Sequence, residues 1–432
     1  MEIELSEQQE AAIQVLLAWL EKFPNVPRSH FVLEGFAGTG KTTMIRQAIA
    51  RTGRLPSYRA YTGKAAMVMQ KAGVPASTIH SKIYKLKTVS DDTFRQLYKA
   101  RDEAEGDEQK KIVAKIKELM KPRFELNEKA FREEEDEALE DFDDDTNEAP
   151  KQLLVLDECS MVNDDMLRDL KSFKLPIVAL GDPGQLPPVD GTGALFKGLA
   201  DARLTEIRRQ ALDNPIIAWS MKARQKIALP YTNKDMCLED KAAKVNKSMF
   251  AGAEFAALAD SHDIIIAWKN ITRMQMNQWK RRLNGNFMKD GVYPVKGERL
   301  LITKNDREHG LFNGMFAEVV SDPKLMDVTI DMVIVPEGSN REVEVKILRA
   351  CFEQYQNPDA FEGLRKWDYS GTQQADFGYC LTCHKAQGSQ WDRVMVLDEP
   401  VLAWPKAAED RAKWLYTAVT RAVEKVTIVV GK

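Results

Sequence analysis

Cysteine is scarce in this chain, with five residues in 432 and therefore an odd set. That argues against a disulfide framework and makes a reducing compartment, the cytoplasm, the expectation. Long apolar runs are missing as well. Asp263-Ile264-Ile265-Ile266-Ala267-Trp268 is among the longest, far short of the roughly 18 residues that suggest a membrane span. Met1-Glu2-Ile3-Glu4-Leu5 has neither a basic n-region nor an apolar h-region, so no secretory signal is expected. No internal repeat of fixed short period is present. Net charge is nearly absent, at −3, but this balance is uneven. Residues 125–148 hold thirteen acids and two bases, a local −11, which leaves +8 on the remaining 408 residues. A polyanionic partner such as nucleic acid is therefore not excluded by the near-neutral total.

What is present is a soluble globular balance, 44% hydrophobic and 29% charged. The length suggests about two to four domains. Short apolar strand candidates end in small or acidic residues: 30–34, 58–62, 152–158, 176–182, 262–268, 393–399 and 425–431. Helical stretches such as 42–51 and 164–173 lie between them, which predicts α/β layers on parallel sheets. Two stretches depart from this. Residues 86–150 are charged, mostly helical in period, and lack a buried-strand pattern. Residues 299–348 read as antiparallel strands at 299–305, 317–320, 327–335 and 342–348, separated by turns such as Glu337-Gly338-Ser339-Asn340.

The sharpest motif is Gly35-Phe36-Ala37-Gly38-Thr39-Gly40-Lys41-Thr42, a GxxxxGK[ST] run between a strand and a helix. Its glycines turn backbone N–H groups toward phosphate oxygens, and the helix N-terminus adds favourable dipole charge. In this arrangement Lys41 reaches the β and γ phosphates, and the Thr42 hydroxyl ligates Mg²⁺. The bland alternative is a glycine turn before a structural helix. A P-loop also needs an acidic partner, and two strands offer one: Leu153-Leu154-Val155-Leu156-Asp157-Glu158 and Val394-Met395-Val396-Leu397-Asp398-Glu399. The first is the choice, with Asp157 as metal ligand and Glu158 as the base acting on water. The second is read as a strand-end pair facing solvent. Gln185, in Gly181-Asp182-Pro183-Gly184-Gln185, is placed in order to sense the γ-phosphate.

Together these residues resemble superfamily 1 helicases. The P-loop, Asp157-Glu158-Cys159-Ser160-Met161 and Gly181 to Val189 look like motifs I, II and III. Leu204-Thr205-Glu206-Ile207-Arg208-Arg209-Gln210 resembles motif IV, Tyr379 to Ser389 motif V, and Trp414 to Ala422 motif VI. The pattern is most similar to the RecD-like branch, superfamily 1B, and within it to small phage Dda-type helicases. The resemblance covers about 5–82, 150–315 and 377–432.

Residue roles follow from the resemblance only where a motif matches. It implies Gln9 as adenine reader. Gly35, Ala37, Gly38, Thr39, Gly40, Lys41, Thr42 and Thr43 form the phosphate cradle, and Gln387 and Gly388 lie on the nucleotide side. Arg209 and Arg421 match two arginine fingers, with Arg208 a rival for the first. Thr62 and Lys64 of motif Ia, Ser77 and His80 of motif Ib, Asn270 and Asn277, and Thr382 and His384 of motif V would face DNA. Tyr61 replaces a proline often found in motif Ia. Arg281 belongs to the same pattern as Asn270 and Asn277. The Gly310-Leu311-Phe312-Asn313-Gly314 turn resembles the entry to an SH3-like insertion. Cys380 and Cys383 lack a second pair for zinc and are read as structural.

The resulting expectation is an α/β protein with two RecA-like P-loop motors. Motor 1A takes 1–82 and 150–213, and 83–149 forms a charged, mainly helical 1B insertion. Motor 2A takes 214–290 and 377–432, and 291–376 forms a β-rich, SH3-like 2B insertion. The function expected is an ATP-dependent 5′-to-3′ DNA helicase using Mg²⁺, with single-stranded DNA and fork duplex as partners. Single-stranded-DNA-binding or replication proteins are further candidate partners. A monomer without membrane association, in a bacterial or phage-infected cytoplasm, is expected. An accessory DNA-stimulated ATPase and an RNA helicase stay open as alternatives.

Overall fold

The computed structural model describes residues 5–26, 28–121, 123–132, 151–188, 193–196, 198–206, 214–286, 291–399 and 407–431. Most of the acidic segment, and the expected finger Arg209 with its rival Arg208, lie outside the described residues.

Two parallel sheets dominate. The first runs, in spatial order, Ala76–Thr78, Leu55–Ala60, Gln152–Asp157, Ile177–Gly181, His30–Gly35 and Ala202–Leu204. Every pairing among these strands is parallel. Strand His30–Gly35 is buried along its whole length, as a parallel strand covered on both faces must be. Helix Glu7–Lys22 covers one face. Ser6 and Gln9 close a capping box at its start, and Ala12, Ile13, Leu16 and Leu20 repeat at helical spacing along its buried stripe.

The second parallel sheet runs Cys380–Thr382, Ile264–Ala267, Trp391–Asp398, Ala422–Val430 and Ala242–Asn246. Its central residues Ile264, Ile265 and Ile266 are at most 2% exposed. Each such side chain contributes roughly 1.5–3 kcal/mol by leaving water. Helices Pro215–Arg224 and Ala407–Val419 pack on it.

A third sheet is antiparallel, with Lys324–Leu325, Thr329–Pro336, Phe316–Val319, Arg299–Ile302 and Ala375–Phe377 in order, and Val343–Leu348 paired to Thr329–Pro336. It encloses its own apolar cluster, including Ile302, Val319, Ile334, Ile347 and Phe352. A small antiparallel ribbon, Tyr84–Lys87 with Arg123–Leu126, carries helices Asp91–Glu103 and Gly106–Met120 between its strands. This ribbon lies within the stretch expected to be mostly helical. Three of its residues in one strand are exposed, and only the Tyr84–Leu126 end packs against a core, so little of it produces an apolar pattern.

The helical arm reaches the antiparallel domain. Lys366 Nζ donates to Asp91 at 2.6 Å and to the Val89 carbonyl at 2.6 Å, and the Lys366 amide donates to Tyr98 Oη at 3.0 Å. Trp367 meets the Tyr98 ring edge-on, with centroids 5.1 Å apart. Among the described residues, no helix is long and apolar enough to cross a membrane.

Candidate functional site

The P-loop turns at Gly38 and Gly40, whose φ angles of 80° and 75° suit glycine. Gly40 caps helix Lys41–Ala50 without a side-chain bond, so the helix presents free N–H groups to an anion. A Cβ on Gly35 would lie 2.9 Å from Lys41 Cγ, so glycine there lets the lysine fold over the loop. Lys41 Nζ donates to the carbonyls of Gly35 at 2.7 Å and Phe36 at 3.1 Å. Thr42 Oγ1 donates to Asp157 Oδ2 at 3.0 Å. A hydroxyl and a carboxylate side by side are hard oxygen donors that suit Mg²⁺, which takes its other ligands from phosphate and water.

Glu158 follows directly, with φ 51° and ψ 42°, a left-handed conformation that is strained for a non-glycine residue. Burial pushes its carboxyl above the usual range, an effect that the nearby charge of Arg421 opposes. Gln185 is 7% exposed, and its Oε1 is buried without a hydrogen-bond partner. An orphaned acceptor in a cleft is a place where a water or ligand donor fits.

Several expected site residues make internal contacts in this structure. Gln9 is 3% exposed, its Nε2 donates to the Thr39 carbonyl at 2.9 Å, and its Oε1 accepts from the Ser6 amide at 3.0 Å. Its amide braces the P-loop. Arg421 is 3% exposed and turned into its own lobe, donating to the carbonyls of Thr417 at 3.0 Å and Ser389 at 3.3 Å. It reaches Glu158 by field, not by contact.

Asn277 is fully buried. Its Oδ1 accepts from the amides of Tyr379 at 3.1 Å and Cys380 at 2.7 Å, and its Nδ2 donates to the Cys380 carbonyl at 3.3 Å. Side-chain capacity spent on a neighbouring strand leaves nothing for DNA. Arg281 is likewise internal. It pairs with Glu298 at 2.7 Å and donates to the Tyr293 carbonyl at 2.6 Å.

Lys64 is also not free. Its side chain is 13% exposed, its ammonium pairs with Glu337 at 3.3 Å, and it sits over the rings of Phe316 at 4.7 Å and Trp391 at 4.8 Å. Burial lowers its pKa. The lysine thus ties the first lobe to the antiparallel domain and the second lobe, instead of facing phosphate. Thr382 is buried, at the N-cap of Cys383–Ala386. Asp398 and Glu399 do not face solvent either. Asp398 is 2% exposed and pairs with Arg411, while Glu399 accepts from Thr272. A carboxylate can be buried this way only with a cation beside it.

Other candidates converge. Thr62 caps helix Gly63–Lys71 by accepting from the Ala65 amide at 3.2 Å. Gly388, from the second lobe, approaches so closely that a Cβ there would lie 2.6 Å from Thr62 Oγ1. Gln387 Nε2 donates to the Leu186 carbonyl at 3.1 Å, and its Oε1 is orphaned like that of Gln185. Tyr61, Thr62, Glu158, Ser160, Met161, Gln387 and Gly388 line one narrow gap between the lobes. On the outer surface, His80 is exposed and joins Tyr61, Tyr84 and Phe124, with ring centroids 6.0, 5.4 and 6.3 Å away. Ser77 is the middle residue of strand Ala76–Thr78, three positions before His80, while Asn270 opens helix Asn270–Leu283 in solvent and His384 lies 6.5 Å from the Trp268 ring. Among the described residues no three His, Cys, Asp or Glu side chains group as a metal site, and Cys380 and Cys383 are buried thiols.

Sequence reasoning missed Gln8, whose Oε1 accepts from the amides of Thr205 at 2.8 Å and Glu206 at 3.0 Å, at the start of the motif IV resemblance. It also missed Arg224 and Tyr416, which cross the cleft to the P-loop. Tyr416 lies in the run that resembles motif VI but its side-chain role is not marked there, and no local pattern marks Arg224, because each acts through partners far away in sequence.

Residues 4–229 match the family model described as an AAA domain, and residues 377–429 match the UvrD-like helicase C-terminal domain. The ATP-dependent RecD2 DNA helicase of Deinococcus radiodurans is 27% identical over 297 residues, covering 64% of this chain and 36% of that protein. The RecBCD enzyme subunit RecD of Mycolicibacterium smegmatis is 24% identical over 446 residues, covering 92% of this chain and 68% of that protein. The chain thus spans about a third of the first relative and two thirds of the second. The crystal structure of Pif1 helicase from Candida albicans superposes with TM-score 0.51 at 17% identity, over 99% of this chain and 94% of that one. A Pif1 structure from work on unwinding of forked duplex DNA gives 0.50 at 17% identity, over 99% and 92%. These two likenesses establish the fold, two α/β P-loop-type motors, and nothing finer. With its first half matched to the AAA domain and its C-terminal segment to a UvrD-like helicase domain, the chain belongs to the AAA-domain family and is similar to RecD helicases.

Proposed function

We propose that this protein is an ATP-dependent DNA helicase that moves 5′-to-3′ along single-stranded DNA and opens fork duplex. The observation that carries this reading is the gap where Glu158 of the first lobe meets Gln387 and Gly388 of the second. Hydrolysis at such a seam alters how the two motors sit against each other, and motion along a strand requires that coupling. In this reading the first parallel sheet is motor 1A and the second is motor 2A. The ribbon with its helical arm is insertion 1B, and the antiparallel domain is an SH3-like 2B.

Lys41 and the P-loop amides of Ala37 to Thr43 hold the phosphates. Thr42 and Asp157 hold Mg²⁺, which supplies charge neutralisation on the phosphates when bound. Glu158 takes a proton from the attacking water, a role its raised pKa favours. Gln185 orients that water through its unpartnered Oε1. The surface carrying Ser77, His80, Asn270 and His384 binds the strand, with the aromatic neighbours of His80 available for base stacking.

Strand displacement on forked substrates tests the reading. Unwinding with ATP and Mg²⁺ is expected from a duplex with a 5′ tail and not from one with a 3′ tail. Opening only from the 3′ tail overturns the polarity. DNA-stimulated ATP hydrolysis without unwinding favours an accessory ATPase.

A further inference from the structure

Arg224 is the last residue of helix Pro215–Arg224, which packs in the second lobe, yet its side chain leaves that lobe. The guanidinium carbon lies 3.7 Å above the ring of Phe36, the second residue of the P-loop. Nη1 stands 3.9 Å from Asp182 Oδ1, too far for a hydrogen bond, and it is buried with no partner. Asp182 is fully buried and already occupied: Oδ1 accepts from the Gly184 amide at 2.9 Å, and Oδ2 accepts from the Tyr416 hydroxyl. The Tyr416 oxygen in turn accepts from the Ala37 amide at 3.2 Å. A Cβ on Gly184 would lie within 3.1–3.3 Å of Asp182, Tyr416 and Arg224, so glycine is what allows the three to converge.

Two features set this cluster apart from ordinary packing. An ion pair built only for stability would bring Nη1 into contact with the carboxylate, because an unpaired buried N–H is costly. Moreover, the hydroxyl of Tyr416 sits on an amide of the phosphate-binding loop, so phosphate and tyrosine compete for the same donor. We propose that Arg224 is a positioning residue that couples phosphate in the P-loop to the Asp182–Gln185 loop and to the second lobe. Phosphate takes the Ala37 N–H and releases Tyr416. Without the Ala37 N–H on its oxygen, the Tyr416 hydroxyl is a weaker donor to Asp182, and Arg224 closes onto the carboxylate, using the N–H that is orphaned now. The loop carrying Gln185 is thereby set, and the pull is passed along helix Pro215–Arg224. This rests on the proposed ATP hydrolysis at the same cleft.

The test compares the wild-type chain with Arg224→Lys, Arg224→Met and Tyr416→Phe. It measures ATPase kinetics with and without oligo-dT, binding of a fluorescent ADP, and thermal midpoints. Both Arg224 variants are expected to lose about tenfold in DNA-stimulated kcat, the scale of one charge-assisted hydrogen bond. Their KM for ATP and their ADP affinity should stay within about threefold, because the interaction forms after binding. Lysine should not rescue, since it offers neither the stacking plane nor the fork. Tyr416→Phe should lower the KM for ATP, because the competing hydroxyl is gone. Wild-type rates in Arg224→Lys overturn the proposal. So does a parallel loss of kcat, nucleotide affinity and melting temperature in Arg224→Met, which marks a packing role. Weaker nucleotide binding in Tyr416→Phe overturns the displacement step. A wild-type chain that fails to hydrolyse ATP removes the underlying reading, whereas wild-type hydrolysis with unaltered variants removes this proposal alone.

Discussion

Two strands of this molecule are nearly interchangeable on paper. Leu153 to Glu158 and Val394 to Glu399 are both apolar runs that end in Asp-Glu, and both lie inside parallel sheets. In the fold their ends meet different company. Asp157 lies beside the hydroxyl of Thr42, and Glu158 stands in a strained, desolvated conformation at a cleft. Asp398 is paired with Arg411, and Glu399 is bonded to Thr272. The first end carries backbone strain and shares its cleft with the orphaned Gln387 Oε1, whereas at the second Arg411 neutralises Asp398 and Glu399 keeps one buried oxygen without a hydrogen-bond partner. Functional sites are where proteins tolerate strain and unpaired polar atoms, because a ligand or substrate completes them.

The largest expected effect is on turnover. Glu158→Gln keeps the shape and removes the base, so kcat for ATP should fall by about 100- to 10,000-fold, while nucleotide binding measured by equilibrium titration is kept. Asp398→Asn should leave kcat within about twofold, as expected for a group outside the reaction. If the two variants exchanged behaviour in the same steady-state assay, the catalytic strand would be the second one and not the first.

The second lobe should instead lose stability when its polar groups are cut. Arg281 and Glu298 are 1% and 0% exposed at the side chain, and the arginine also donates to backbone carbonyls. Arg281→Met strands a buried carboxylate, for an expected cost of about 3–5 kcal/mol in chemical denaturation. A variant of unchanged stability with weakened single-strand binding would return the arginine to the DNA surface. Asp398→Asn comes next, at about 1–3 kcal/mol, because a neutral amide takes less from Arg411 than a buried carboxylate does. Equal melting curves for this variant and the wild type would mean that the Asp398–Arg411 pair does nothing for the fold.

Much of this architecture could be read in advance, for a physical reason. Strands buried on both faces must be apolar without interruption, so 152–158 and 176–182 stand out, and the observed strands Gln152–Asp157 and Ile177–Gly181 are shorter by one residue at one or both ends. The P-loop is legible because phosphate binding dictates both its glycines and its lysine. Strand Leu55–Ala60 begins three residues before the expected start, since Leu-Pro-Ser carries little strand signal. What stayed hidden is direction. Lys64 meets Glu337, Asn277 meets Cys380 and Arg224 meets Phe36. Each partner is roughly 100 to 270 residues away in sequence, and no periodicity reports which distant element a side chain turns toward.

The smallest effect is also the one with an informative sign. Burial raises the pKa of the Glu158 carboxyl above its unfolded value. A folded state that holds its proton more tightly than the unfolded state is favoured at low pH, and that contribution is lost as pH rises through the folded pKa. Wherever Glu158 is ionised, its desolvated carboxylate is therefore a burden on the fold. Glu158→Gln removes the charge and should melt slightly above the wild type at pH 7, by less than Asp398→Asn falls. The gain should shrink as pH drops below the unfolded carboxylate range, where Glu158 is protonated in both states. Two similar strand ends would then answer the same Asp/Glu-to-amide change with opposite signs: stability rises and catalysis dies at Glu158, while stability falls and catalysis survives at Asp398. Thermal melts of both variants across acid to neutral pH measure this directly. A Glu158→Gln protein that melts below the wild type at pH 7 would mean that the carboxylate is stabilised where it stands, and the desolvated general base would have to be sought elsewhere.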